Sequence, residues 1–97
     1  MYAIALIRYR RPLEEVLTVN DAHRAYLKGL KERGLLLVSG PLNPRNGGVL
    51  LLRLPDEGGW EALDRIRDED PYTKAGVVQY ELLPWAPNLG AERLEQL

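Results

Sequence analysis

The sequence contains no cysteine and only one histidine, His23. The absence of cysteine excludes disulfide bonds, thiolate metal ligands and cysteine nucleophiles, and it is compatible with a reducing cytoplasm, so we expect a cytoplasmic protein. A single histidine with no HxxxH, HxH or DxD pattern beside it does not build a metal site. We therefore expect neither a metal nor a cofactor.

The chain also lacks an excess of charge of either sign. It has 13 basic and 14 acidic residues and a formal net charge of -1, which gives no long-range attraction to nucleic acid or to an anionic membrane. Its apolar N-terminal stretch reaches Arg8 too early for a secretory signal or a membrane span. We expect no nucleic-acid partner and no membrane association.

Common nucleotide and hydrolase motifs are missing as well. The pairs Gly47-Gly48 and Gly58-Gly59 lie outside any GxGxxG or GxxxxGK[ST] pattern, which argues against a phosphate-binding loop. No GxSxG elbow surrounds Ser39. The chemistry of the protein therefore has to rest on other side chains.

What is present is typical of one globular domain. The 97 residues are 45% hydrophobic and 28% charged, and this length supports a single core. We assign residues 1–87 to the core of one domain, 1–97, and residues 88–97 to a C-terminal tail. The segment 91–97 is at most a marginal helix, and its leucines are candidates for docking on a partner subunit.

The first half of the chain predicts a strand, a helix and a pair of strands. Residues 2–9 are apolar on both alternating faces. A helix is expected from Asn20, as its N-cap, to just before Gly34, after a first turn at residues 13–17. Inside it, Gly29 costs about 1 kcal/mol relative to alanine, which predicts close approach by another element. The apolar runs 35–39 and 49–54 are two further strands, joined by a turn-rich connection at 43–48.

The second half repeats the pattern with a helix and a strand. Apolar residues at helical spacing predict a helix from Trp60 to about Asp68, and 77–83 is the last strand. Pro84 and Pro87 bracket its exit. Between this helix and this strand, Asp70-Pro71 is typical of an N-cap followed by proline at the first helical position. The order β-α-β-β-α-β predicts an α+β, ferredoxin-like fold with an antiparallel sheet.

Apolar residues on both faces of the predicted sheet indicate an oligomer. A sheet of about four strands with two apolar faces needs a cover on each side, and two helices cover only one. The second face is then expected to pack on another copy of the chain, which predicts a homodimer or a higher homo-oligomer.

The residues suited to proton transfer are His23 and Asp70. Histidine titrates near neutrality, and a carboxylate bonded to one ring nitrogen orients the other. Each also has a plain structural explanation, His23 as a hydrogen-bonded residue at the edge of the core and Asp70 as a helix cap. Polar groups near strand ends, Ser39, Arg8 and Tyr9, are the candidates for binding substrate.

Several short motifs occur together in a specific order. They are His23-Arg24-Ala25-Tyr26-Leu27, Gly34-Leu35, Ser39-Gly40-Pro41-Leu42, Gly47-Gly48, Asp70-Pro71-Tyr72 and Ala75-Gly76-Val77. In order and spacing, the chain up to Trp85 resembles the YCII-related family. The resemblance implies a ferredoxin-like subunit that forms a dimeric α+β barrel, with a histidine and an aspartate at the active site. By matched motif these are His23 and Asp70, with Ser39 nearby.

The resemblance leaves the reaction open. A related branch of the family resembles muconolactone isomerases and includes enzymes that eliminate halide from chlorinated muconolactones. The first hypothesis is a small-molecule lyase, isomerase or hydrolase with His23 as general acid or base and Asp70 as its orienting carboxylate. The alternative is a non-catalytic, small-ligand-binding or regulatory dimer. A structural module that acts through the tail is a third, weaker possibility.

Overall fold

The sheet is built around its first strand. In the computed structural model, which describes all 97 residues, β1 (Tyr2–Tyr9) pairs antiparallel with β3 (Gly47–Arg53) on one side and with β4 (Val78–Trp85) on the other. The edge strand β2 (Leu36–Pro41) pairs antiparallel with β3. The strand order β2-β3-β1-β4 confirms the α+β, ferredoxin-like prediction.

The helices occupy the connections between these strands. They are α1 (Leu13–Leu17), α2 (Asn20–Glu32), α3 (Gly59–Glu69) and the short α4 (Pro71–Lys74), and a 3-10 helix (Ala91–Gln96) follows β4. None of these helices combines the length and the hydropathy that a membrane span requires. Because α2 and α3 are the only helices of more than five residues before the tail, they supply most of the cover for the sheet.

The core lies between the helices and one face of the sheet. In β1 the buried side chains are Ala3, Ala5 and Ile7, which alternate with half-buried residues that point to the opposite face. The remaining core residues come from the other strands, the helices and the connections: Val16, Leu30, Leu36, Leu50, Leu52, Leu54, Leu63, Ile66, Tyr72 and Val77. The opposite sheet face carries no helix of this size and stays partly exposed.

Three strands differ in their bounds from the sequence-based prediction, and the first of them, β2, runs to Pro41 and not to residue 39. Gly47 and Gly48 belong to β3, and a Cβ at Gly47 would lie 1.9 Å from the carbonyl oxygen of Ile7. Only glycine therefore permits this approach of β3 to β1. At the other end of the sheet, β4 runs through Pro84 to Trp85; proline is tolerated there because β4 is an edge strand.

The main helix α2 also corrects two expectations. Asn20 is its first residue and not its N-cap, because Val19 takes that position. A Cβ at Gly29 would meet nothing within 4 Å, so no neighbouring element explains that glycine. The predicted stop at Gly34 holds: its φ is +77°, and the amides of Leu35 and Gly34 bond to the carbonyls of Leu30 and Lys31.

The tail folds back on the body of the domain. Arg53, at the end of β3, donates hydrogen bonds to the carbonyl oxygens of Leu94 and Leu97, and its guanidinium lies 5.4 Å from the centre of the Tyr2 ring. The segment expected to be at most a marginal helix forms a 3-10 helix, Ala91–Gln96. Its contact with Arg53 places the tail beside the open face of the sheet.

Candidate active site

A cleft of about 680 Å³ opens between α2, the ends of β1 and β2, and the connection before β3. His23 and Tyr72 lie at its inner side, and Tyr9 and Ser39 line it from the strands. Apolar side chains such as Leu27 and Leu50 contribute a further part of the wall. A pocket that combines apolar walls with a few convergent polar groups is the usual form of a small-molecule site.

Asp70 lies directly behind this cleft and is fully buried. Local sequence explains its position: it is the N-cap of α4, Pro71 follows at the first helical position, and its Oδ1 accepts the Tyr72 amide N–H at 2.9 Å. The same Oδ1 lies 2.8 Å from Nδ1 of His23. One carboxylate oxygen thus caps α4 and binds the histidine.

Tyr80 satisfies the second oxygen of Asp70. Its hydroxyl donates to Oδ2 from β4, where it lies opposite Ile7 on the helix-covered face of the sheet. Burial, followed by the negative charge of Asp70, raises the pKa of Tyr80 far above its ordinary value. The phenol therefore stays protonated and acts as a donor. With three donors in total, the buried carboxylate is compensated by neutral N–H and O–H groups.

His23 is held in one orientation by two contacts. An ionised carboxylate can only accept, so Nδ1 carries the hydrogen in the bond to Asp70, and Nε2 of the neutral ring has a free lone pair. The ring stacks on Tyr72, with 3.8 Å between centroids and 6° between planes. His23 is 7% exposed and lines the cleft, and Nε2 has no hydrogen-bond partner within the chain. The arrangement presents Nε2 as a proton acceptor.

Tyr72 connects the histidine to the outer part of the cleft. Its hydroxyl donates to Oδ1 of Asn20 at 2.9 Å, and its ring meets that of Tyr9 edge to face at 6.1 Å. Burial, followed by the neighbouring Tyr9, raises the pKa of Tyr72 to about 12. Arg45 donates to the same Asn20 oxygen at 3.2 Å and to the Tyr9 hydroxyl at 3.3 Å. Hydrogen bonds therefore connect Tyr72, on which His23 stacks, to Arg45 in the outer part of the cleft.

The structure brings four of the five candidate residues together. His23, Tyr9 and Ser39 line the cleft, and Asp70 lies behind His23. Arg8 does not line it: its side chain points to the opposite face of the sheet, where its guanidinium lies 3.8 Å from the carboxylate of Glu81. Alternation along β1 explains the separation, since neighbours in a strand face opposite sides.

Four residues of the network around His23 were not among the sequence-based candidates: Tyr72, which appeared only as part of a motif, and Tyr80, Asn20 and Arg45. Asn20 was interpreted as a helix cap, and Arg45 lies in a connection with no periodic pattern. Tyr80 carried no local signal, because its place opposite buried Ile7 depends on the register between β1 and β4, two strands that are far apart in the sequence. No group of three or more histidine, aspartate or glutamate residues in the chain is arranged to hold a metal ion.

The fold and the site together define a class: a ferredoxin-like subunit with a buried histidine–aspartate pair beside a small-molecule cleft. The family model of the YCII-related domain matches residues 1–86, and the chain belongs to this family. None of the curated proteins matches the sequence.

A solved structure has a similar fold. It is 5-chloro-2-hydroxyhydroquinone dehydrochlorinase from Burkholderia phenoliruptrix AC1100, in complex with 2,5-dihydroxybenzoquinone. The sequences are 24% identical, the match covers 93% of this chain and 98% of the other, and the TM-score is 0.75. At this level of identity the similarity establishes the fold.

Proposed function

We propose that the protein is a small-molecule enzyme of lyase, isomerase or hydrolase type that uses His23 as its general acid or base. The observation that carries the proposal is the bond between His23 Nδ1 and Asp70 Oδ1 at 2.8 Å, beside a cleft that His23 lines. A histidine in this arrangement accepts a proton from substrate at Nε2, and the imidazolium that forms is stabilised by the carboxylate. The proton is then returned to the product or to solvent.

The surrounding residues have distinct roles in this proposal. Asp70 fixes the tautomer and orientation of His23 without touching the substrate, and Tyr80 fixes Asp70. Tyr9 and Ser39 line the cleft and bind polar groups of the substrate. The related fold of a dehydrochlorinase, an enzyme that removes hydrogen chloride, supports elimination as one reaction of this type.

The test measures proton chemistry without assuming one reaction. Small ring compounds, including 5-chloro-2-hydroxyhydroquinone and unsaturated lactones, are incubated with the protein in D₂O. NMR then detects deuterium incorporation, double-bond migration or loss of a leaving group. We expect turnover that falls by about 10²- to 10⁴-fold in His23→Asn, the usual contribution of a general acid or base. Arg65→Gln, an exposed change on α3 outside the cleft, is the matched control.

Variants of His23 and Asp70 also distinguish the enzyme hypothesis from the hypothesis of a non-catalytic binding protein. Compounds that stabilise the protein against heat, undergo no change and bind equally well to His23→Ala favour the non-catalytic, ligand-binding dimer. Turnover that is lost in both His23→Ala and Asp70→Asn excludes it. Turnover that persists unchanged in His23→Asn would refute the assigned role of the histidine.

We further propose that the protein is a homodimer formed through the open face of the sheet. This face carries apolar side chains from all four strands, of which Val38 is 52% exposed, Leu83 38% and Trp85 42%. Ile4, Leu6 and Leu51 lie between them, only partly buried. A contiguous apolar surface of this kind is typical of a subunit interface. Arg8 and Glu81 would lie within it.

Light scattering at micromolar concentration tests the dimer. We expect twice the mass of the chain for the native protein and a monomer for Leu51→Glu combined with Leu83→Glu. Leu89→Glu is the control, because Leu89 is fully exposed in the tail region and outside the sheet. A native monomer, or a dimer unaffected by the double change, would contradict this interface.

A further inference from the structure

The cleft is positively charged although the chain as a whole is not. Four cationic side chains line it, Arg24, Lys28, Lys31 and Arg45, and no aspartate or glutamate does. Over the whole chain, acidic residues outnumber basic ones by 14 to 13. The separation of basic from acidic side chains is clearest in α2, where all three cations line the cleft and neither Asp21 nor Glu32 does.

The α2 cations are positioned to act on a ligand and not on a neighbouring carboxylate. Arg24, Lys28 and Lys31 are spaced four and three residues apart, which places them along one side of the helix. None of them takes part in a salt bridge within the chain. Since no carboxylate lies within salt-bridge distance of them, together they contribute a positive potential to the cleft.

Two hydrogen bonds hold the Arg45 side chain in place at the mouth of the cleft. Its Nε donates to the Tyr9 hydroxyl, and one Nη2 hydrogen goes to Oδ1 of Asn20. A guanidinium has five N–H donors, so three remain, on Nη1 and Nη2. These form the forked edge that binds a carboxylate through two parallel hydrogen bonds. The two acceptors that hold Arg45 are neutral, which leaves its charge uncompensated.

The same oxygen of Asn20 links this arginine to the histidine. It accepts the Tyr72 hydroxyl, and the Tyr72 ring stacks on the imidazole of His23. Arg45 and Nε2 of His23 thus belong to one cleft and one packed network. Both side chains therefore line the space that a single small molecule would occupy.

We propose that the substrate is a small anion, and that Arg45 binds its carboxylate, or an equivalent planar oxyanion, while His23 faces the reacting atoms. This proposal rests on the proposed function and specifies its substrate class. Arg24, Lys28 and Lys31 add a field that favours the anion without fixing its orientation. Arg45 is accordingly the residue that determines specificity.

The experiment compares carboxylates with the neutral amides of the same shape. Benzoate, salicylate and crotonate, each with its amide, are titrated into the protein while the imidazole signals of its single histidine are followed by NMR. We expect at least one carboxylate to bind about tenfold or more tightly than its amide, a ratio that corresponds to about 1.4 kcal/mol. We expect Arg45→Gln to abolish this preference and Arg65→Gln to retain it.

Binding and catalysis are then tested separately. Calorimetry on His23→Asn is expected to give the same preference for the carboxylate, so failure of the proposed chemistry leaves this result intact. Equal binding of carboxylate and amide, a preference that survives in Arg45→Gln, or no binding of any of the carboxylates at millimolar concentration would each overturn the proposal.

Discussion

At the scale of single residues, the site depends on one carboxylate with two structural duties. Oδ1 of Asp70 accepts both the Tyr72 amide and the His23 imidazole, while Oδ2 accepts the Tyr80 hydroxyl. The same oxygen therefore caps α4 and binds the histidine, and the role of this pair in catalysis stays a prediction. Stability and the orientation of His23 are coupled through this residue.

Two substitutions at Asp70 separate these duties. Asp70→Asn retains an oxygen that caps α4 but removes the negative charge, whereas Asp70→Ala removes both. We expect Asp70→Ala to lower the free energy of unfolding by about 1–4 kcal/mol, because a cap is lost and the Tyr80 hydroxyl is left without its acceptor. Asp70→Asn should lower it by less. Urea unfolding, analysed with one m-value for all proteins, measures the free energy of unfolding of both variants. Equal losses of stability in Asp70→Ala and Asp70→Asn would contradict the capping role.

At the scale of elements, Gly29 in α2 and Gly47 in β3 differ in the space available to a side chain: Gly29 has room for a Cβ and Gly47 has none. Gly29 has nothing within 4 Å of the position of a Cβ, and its φ is not positive. Since alanine is the better helix former, Gly29→Ala should stabilise the protein by about 0.5–1 kcal/mol. Thermal unfolding of the two proteins measures this. A lower melting temperature would indicate a contact outside the single chain.

Gly47 should behave in the opposite way. Its Cβ would lie 1.9 Å from the Ile7 carbonyl oxygen, and that oxygen belongs to the backbone of the central strand. We expect Gly47→Ala to destabilise the fold by about 1–3 kcal/mol through overpacking and to displace the cleft wall near Tyr9. Urea unfolding measures the loss, with Gly29→Ala as the matched glycine-to-alanine control. A neutral effect at Gly47 would contradict the described approach of β3 to β1.

The elements also show how far local sequence signals extend. The Asp70-Pro71 and Gly34 signals predicted where helices begin and end, because caps act through neighbouring backbone groups. The prediction of Asn20 as an N-cap was wrong because it considered only neighbouring residues. The Asn20 side chain instead accepts a hydrogen bond from Tyr72, 52 positions away along the chain. The approach of Gly47 to β1 is likewise a contact between distant strands that no local pattern encodes.

At the scale of the whole molecule, alternation and element order were sufficient to predict the ferredoxin-like fold. They were not sufficient for the site, because Tyr80 and Arg45 reach it from β4 and from an irregular connection. The pairing of His23 with Asp70 came from the family motifs, since their 47-residue separation carries no spacing signal. The dimer remains a prediction from the apolar open face.

Alkaline pH tests the packing around the site as a whole. Burial raises the pKa of both Tyr26 and Tyr72 to about 12, and Tyr80 is shifted further in the same direction. The fold thus favours the neutral phenols. Their stabilising effect should be complete below the unfolded value of about 10 and lost as the pH rises through about 12. We expect the free energy of unfolding to fall in this window.

Tyrosinate absorbance provides the matching readout. The native protein should form tyrosinate at higher pH than the same protein in denaturant, and Tyr72→Phe should reduce the loss of stability between about pH 10 and 12. Superimposable titrations of native and denatured protein would contradict the burial of these phenols.

The position of the proton on the neutral His23 ring tests most directly whether Asp70 holds His23 as a base. Because the chain has one histidine, its ¹⁵N NMR spectrum contains a single imidazole, and the two nitrogens are distinguished by their coupling to ring protons. At a pH where the ring is neutral, we predict hydrogen on Nδ1, an unprotonated Nε2, and loss of this preference in Asp70→Ala. A native ring protonated on Nε2 would contradict the assignment of His23 as a base held by Asp70.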